Sequence, residues 1–239
     1  MSALAIENLV GGYGAADHVV KGVSLKVDPG ELVTVIGPNG AGKSTVLKLA
    51  VGLLQPKAGR VGLGDVDITG MSPQRIGASG LVLVPQERNV FAALSVEENL
   101  LMGVYTTPRM AKSRLDGILA RFPLLAERRR ALARMLSGGQ RQVLAMGIAL
   151  MSEPKVLALD EPTAGLSPKV ASELFGAIRG LARDGLAVLM VEQNAIEALE
   201  VSHRAEVLVD GRNARSGRAQ DLAVDPEIRK LFLGGRATA

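Results

Sequence analysis

Nine residues, Gly37-Pro38-Asn39-Gly40-Ala41-Gly42-Lys43-Ser44-Thr45, constrain this chain more than any other stretch. They follow a β-branched apolar run, Leu32-Val33-Thr34-Val35-Ile36, and lead into residues 43–51, which read as a helix. Glycines at the first and sixth positions with Lys-Ser directly behind them fit a phosphate-binding loop, which works only between a strand and a helix. The reason is electrostatic. A Gly-rich turn can point its backbone N–H groups inward at anionic oxygens, and the helix start adds the positive end of its dipole. Lys43 is then placed to reach the β- and γ-phosphates of a nucleotide, and Ser44 to ligate magnesium. The alternative is a glycine turn that merely caps a helix. A strand–loop–helix unit of this kind implies a parallel sheet with helices on its faces, hence an α/β fold.

Composition removes other classes. The chain has 239 residues, 47% hydrophobic and 22% charged, as expected of one globular domain with room for an inserted subdomain. No apolar run approaches the roughly 18 residues of a membrane-spanning helix. There is no Cys and there are two His, so disulfides and thiolate sites are excluded, and any metal should be held by oxygen. A net charge of +4 and 3% aromatic residues argue against a nucleic-acid partner. Residues 1–9 include Glu7 and lack a basic start or cleavage motif, so a cytosolic location is expected.

The remaining elements follow from periodicity and punctuation. Residues 4–10 and 19–27 read as strands of an antiparallel opening, with a turn at Asp28-Pro29-Gly30. Residues 60–68 read as further strand, and 81–84 as a short buried strand closed by Pro85. From about 95 to 134 the spacing turns helical, and Ser95 with Glu98 forms a capping box. This stretch reads as a helical insert, after which 156–159 and 187–191 resume the strand pattern around a helix starting near Pro168. Asp210-Gly211 signals a hairpin, and Asp225-Pro226 a last helix to about Phe232, ahead of a frayed tail from Gly234.

Two further motifs carry chemistry. Val156-Leu157-Ala158-Leu159 ends in Asp160-Glu161, which puts two carboxylates at the carboxyl edge of the sheet beside the phosphate loop. Asp160 can hold the magnesium shell, and Glu161 can orient or deprotonate an attacking water. The plain alternative is a pair of acids capping the next helix. Leu136-Ser137-Gly138-Gly139-Gln140 precedes a helix over 141–151, so Ser137 can cap it while Gly138 and Gly139 present bare N–H groups as a second anion site.

This pentapeptide, between a phosphate loop and an Asp-Glu strand, resembles the signature of the ATP-binding cassette (ABC) ATPases. The resemblance implies a P-loop core with an antiparallel β-edge subdomain and an inserted helical subdomain. The core would span about 1–89 and 154–239 and the insert about 90–153, within a single ATPase domain over 1–239. It implies Mg-ATP as the bound nucleotide and a second cassette, identical or paralogous, whose nucleotide faces Ser137, Gly138, Gly139 and Gln140. Tyr13 looks like the aromatic that stacks on adenine. Gln86 matches the glutamine that reaches magnesium and water and couples the nucleotide to a membrane partner.

Two positions depart from the family pattern. Gln193 stands where most cassettes carry a histidine facing the γ-phosphate; an amide can donate there but cannot shuttle a proton. Ser167 replaces the aspartate usual in the loop facing the other cassette. Both bear on rate and cross-site coupling rather than on nucleotide binding. With Val191-Glu192-Gln193-Asn194, Ser95-Val96-Glu97-Glu98-Asn99-Leu100, Arg121-Phe122-Pro123 and Leu231-Phe232-Leu233-Gly234-Gly235, the chain resembles the shorter ATPase of bacterial branched-chain amino-acid importers. Two permeases, an indirectly coupled substrate-binding protein and a peripheral place on the cytoplasmic face of the inner membrane follow from that likeness. Urea or short-amide importers, and lipopolysaccharide export, are the alternatives. Arg128-Arg129-Arg130, with Arg121 and Arg134, reads as a solvated helix face, with lipid headgroups or the permease as the alternative, and neither His18 nor His203 falls in a catalytic pattern.

Overall fold

Every residue of β3 (Leu32–Ile36), β7 (Val156–Asp160) and β8 (Ala187–Val191) is buried. Successive strand side chains point to opposite faces, so strands buried throughout must be covered on both sides. The computed structural model, which describes residues 2–14, 16–104 and 108–233, shows how. These strands join β6 (Leu81–Val84), β9 (Arg204–Val209) and β10 (Arg212–Arg218) in a six-stranded sheet of order β10-β9-β3-β8-β7-β6. Its strands run parallel except the edge strand β10. A second, antiparallel sheet has the order β2-β1-β4-β5, built from β1 (Leu4–Gly11), β2 (Val20–Val27), β4 (Ala58–Leu63) and β5 (Val66–Asp67).

The helix α1 (Lys43–Ala50) lies between the two sheets. Its Val46, Leu47 and Leu49 share one apolar cluster with Val33, Val35, Ala158 and Leu189 of one sheet and Leu4, Ile6, Leu9 and Val23 of the other. The opposite face of the parallel sheet is covered by α6 (Gly138–Leu150) and α7 (Pro168–Arg183). There Leu144, Met146, Leu174, Phe175 and Ile178 meet Leu157, Leu159, Val188 and Met190. Each such buried side chain contributes about 1.5–3 kcal/mol, so both layers hold the carboxyl ends of the strands in fixed register.

Helices α3 (Val96–Met102), α4 (Ala111–Arg121) and α5 (Pro123–Glu127) lie with α6 between β6 and β7. The expected capping box opens α3: Ser95 Oγ accepts the Glu98 N–H at 3.2 Å and Glu98 Oε2 accepts the Ser95 N–H at 2.7 Å. Phe122-Pro123 breaks the helical run, because proline favours an extended residue before it and fits the first position of the helix that follows. Within Arg128–Arg130, Arg129 grips Glu97 through two hydrogen bonds, and Arg121 pairs with Asp184.

Several local readings change. Residues 60–68 are not one strand: Gly64, at φ +56°, turns β4 into β5. Helix α6 starts at Gly138, three residues before the expected Arg141. Three short helices, α2 (Pro73–Ser79), α8 (Ala195–Val201) and α9 (Ala219–Val224), were not anticipated. The hairpin at Asp210-Gly211 forms as expected, with φ of +48° and +77°, and α10 (Pro226–Leu233) follows Asp225. His203 accepts the Leu32 N–H at 2.9 Å and so completes the start of β3. The tail from Gly234 lies outside the described residues, among which no helix is long and apolar enough to cross a membrane.

Candidate functional site

The phosphate loop is seated by backbone rather than by side chains. A Cβ on Gly37 would stand 2.3 Å from the Leu208 carbonyl oxygen, so only glycine fits. Gly40 and Gly42 hold φ of +80° and +93°, the left-handed region that glycine enters without strain. From behind, the buried Gly211 of the β9–β10 turn donates its N–H to Ala41 O at 3.1 Å. A Cβ at Gly211 would meet Val19 O at 2.0 Å.

Lys43 is 5% exposed, and its ammonium donates to Gly37 O at 2.9 Å and Pro38 O at 3.3 Å. Burial pulls its pKa below the usual lysine value, against the opposing charges of Glu161, Asp160 and Glu192. Ser44 Oγ donates to Asp160 Oδ1 at 2.7 Å, joining the start of α1 to the end of β7. Hydroxyl and carboxylate are hard oxygen donors that suit magnesium. Among the described residues no group of three or more His, Cys, Asp or Glu could hold a metal by itself.

Glu161 does not cap a helix. Its backbone takes φ +46° and its N–H donates to Val191 O at 2.9 Å, which directs the chain away from β7. Its Oε2 accepts from Gln86 Nε2 at 3.2 Å, across the gap from the loop after β6. Tyr13 is 60% exposed, with Lys48 Nζ 5.3 Å from its ring centroid and 3.1 Å from its hydroxyl. Tyr13, Asn39, Gly40, Gly42, Lys43, Ser44, Thr45 and Glu161 line one cleft of about 380 Å³.

Other expected residues stand outside that cleft. Ser137 Oγ accepts the Gln140 N–H at 3.3 Å and Gln140 Oε1 accepts the Ser137 N–H at 3.0 Å, a second capping box. The first backbone bond of α6 runs from Arg141 N–H to Ser137 O, so Gly138 and Gly139 supply the helix-start donors. Gly139 also has a packing reason, since a Cβ there would lie 2.2 Å from Val170 Cγ1. Gln193 lines a separate cleft of about 300 Å³ with Thr163, Ala164, Gly165 and Leu166, and its side-chain amide has no hydrogen bond among the described residues. Ser167 precedes α7 without a side-chain cap bond. The sequence reading missed Lys48, Thr163 and Glu192. Only Glu192 carried a local signal, a lone acid ending an apolar strand.

A phosphate loop between β3 and α1, with an Asp-Glu pair at the end of β7, one strand removed in the same parallel sheet, defines a P-loop nucleotide-binding ATPase. Residues 20–164, more than half the chain, match the family described as ABC transporter, and the chain belongs to that family. The high-affinity branched-chain amino acid transport ATP-binding protein BraG of Pseudomonas aeruginosa is 42% identical over 214 residues, 89% of this chain and 92% of that protein. The probable branched-chain amino acid transport ATP-binding protein LivF of Archaeoglobus fulgidus is 43% identical over 219 residues, 91% and 93% of the two chains. A crystal structure of the ADP conformation of an ATP-binding cassette of an ABC transporter matches with a TM-score of 0.86 at 28% identity, covering 98% of this chain and 99% of that one. The chain is an ATP-hydrolysing cassette with the fold of its family.

Proposed function

We propose that this chain binds and hydrolyses Mg-ATP to energise uptake of branched-chain or other hydrophobic amino acids. The observation that carries the catalytic part is the meeting of five side chains at the strand ends: Lys43, Ser44 bonded to Asp160, and Glu161 bonded to Gln86. Phosphate-loop N–H groups and Lys43 hold the β- and γ-phosphates, and Tyr13 supports the adenine. Ser44 and Asp160, with Gln86, would hold magnesium, which supplies positive charge against the phosphates. Glu161 orients the attacking water and takes its proton, and Gln193 donates to the γ-phosphate.

A second cassette, a copy or a paralogue, supports each nucleotide with Ser137, Gly138, Gly139 and Gln140, which lie outside the cleft of their own chain. Residues of about 1–89 and 154–239 form the nucleotide-binding core, and about 90–153 a helical subdomain. A largely apolar groove of about 600 Å³, lined by Val82, Val84, Pro85, Ala145, Ile148 and Ala149 among others, opens beside Gln86. A permease segment in that groove would press on the loop whose glutamine touches Glu161. Two permeases place the chain peripherally at the cytoplasmic face of the inner membrane, with a substrate-binding protein beyond them. The cargo assignment rests on the likeness to BraG and LivF.

The test traps Glu161→Gln with Mg-ATP in solubilised native membranes, followed by purification and mass spectrometry of the bound chains. Two permeases and a second cassette are the expected partners, and the ligand of the accompanying binding protein names the cargo. A urea- or amide-binding protein, or lipopolysaccharide-export components, would replace the amino-acid reading. Ribosomal or DNA-associated proteins would overturn transport.

A further inference from the structure

Glu192 is 1% exposed, and it follows β8, the strand between β3 with its phosphate loop and β7 with Asp160. Its bonds run in three directions. The backbone N–H donates to Val35 O at 3.1 Å, two residues before Gly37. Oε1 accepts the N–H of Thr163 at 3.0 Å and its hydroxyl at 2.8 Å, two residues after Glu161. Oε2 accepts the Gln193 N–H at 3.1 Å. Every partner of the carboxylate is a donor, as an acceptor-only group requires. Burial pushes its pKa up, against hydrogen bonds from Thr163, Asn194 and Gln193.

We propose that Glu192 is a positioning residue for hydrolysis, clamping the loop of Glu161 to the loop of Gln193 and both to the strand that carries the phosphate loop. The inference rests on the reading of Glu161 and Gln193 as the groups that face water and phosphate. Glu161 needs such a clamp. Its left-handed backbone persists only where the surroundings over-determine it. It is held by its own N–H on Val191 O, by the Ala164 N–H on its carbonyl at 3.1 Å and, two residues on, by the Thr163–Glu192 pair. A carboxylate kept only to fill space could be exchanged for an apolar side chain without loss. This one bonds Thr163, two residues after Glu161, and the Gln193 N–H, while the backbone N–H of the same residue ties it to Val35 of β3. Its charge is also felt at Lys43, beside those of Glu161 and Asp160.

The experiment measures Mg-ATP hydrolysis and nucleotide affinity of the full chain for Glu161→Gln, Glu192→Gln, Thr163→Val and Thr163→Ser. Glu192→Gln keeps shape but turns an amide N–H₂ toward donors, so kcat should fall about tenfold with KM for ATP changed by less than about twofold. Thr163→Val loses one bond and should cost about threefold, while Thr163→Ser keeps both donors and restores the wild-type rate. The Glu192→Gln/Thr163→Val double variant should be no slower than Glu192→Gln alone, since both remove one contact. Wild-type kcat in Glu192→Gln overturns the clamp. So does a joint fall of kcat, affinity and melting temperature, which marks a core residue only. If Glu161→Gln itself hydrolyses normally, the reading of Glu161 fails and the clamp with it; if Glu161→Gln alone is inactive, only the clamp fails.

Discussion

Two helices of this chain begin with glycines, and the two starts are built differently. α1 opens behind Gly42, with Lys43 tied to the loop carbonyls and Asp160 within reach of Ser44. α6 opens behind Ser137, capped by its own Ser137 and Gln140, and the cap itself is exposed. The first start is enclosed and brings a cation and carboxylates together. The second offers helix-end donors at an exposed cap, with no acidic residue in its first turn. An anion bound at α1 meets a buried ammonium, fixed dipoles and a proton acceptor, whereas one at α6 meets the helix dipole and, in the first turn, Arg141, whose guanidinium bonds Leu136 O. The comparison teaches that a glycine-rich start gathers the groups of a ligand site only where the fold brings a cation and carboxylates to it.

The largest expected break separates chemistry from binding at the first start. Glu161→Gln should slow hydrolysis by about 10²–10⁴-fold while ATP titration shows unchanged affinity, because in the proposed mechanism the carboxylate acts on water rather than on the phosphates. Next, Lys43→Ala should weaken ATP binding by roughly 100-fold, or about 2.7 kcal/mol, with the melting temperature of the nucleotide-free protein nearly unchanged. Unchanged affinity would move the phosphates away from α1. Tyr13→Ala should cost about tenfold in ATP affinity if its ring stacks on the base, near the low end of the 1–3 kcal/mol typical of aromatic–base stacking. Smallest, Ser137→Ala removes a helix cap worth about 1 kcal/mol, visible in thermal unfolding. It should lower hydrolysis by the assembled pair yet leave ATP binding by a single chain intact. A loss of single-chain binding in Ser137→Ala would erase the distinction between the two starts.

Legibility in the sequence followed the same division between local and distant causes. The phosphate loop, the Asp160-Glu161 strand end, the Ser95 capping box and the Asp210-Gly211 turn were readable because each is encoded by neighbouring residues. The start of α6 was misplaced to Arg141 because glycine is a poor helix former, and tertiary packing on Val170 outweighs that propensity. Helices α2, α8 and α9 are at most seven residues long, too short to show a helical period. The Thr163–Glu192 contact spans 29 residues, and no pattern within either segment marks the other as its partner. Gln86 and Glu161 lie 75 apart and meet only because β6 and β7 are neighbours in the sheet.

Gly211 has a practical consequence for anyone who wishes to label this protein. Hairpin tips are the usual place to graft an epitope or a fluorescent reporter, since an exposed turn tolerates extra residues. At this tip Asp210 is exposed but Gly211 is buried, propping the phosphate loop through Ala41 and lying close against Val19. A graft there would displace Ala41 and Val19 and so unseat the phosphate loop from the rear.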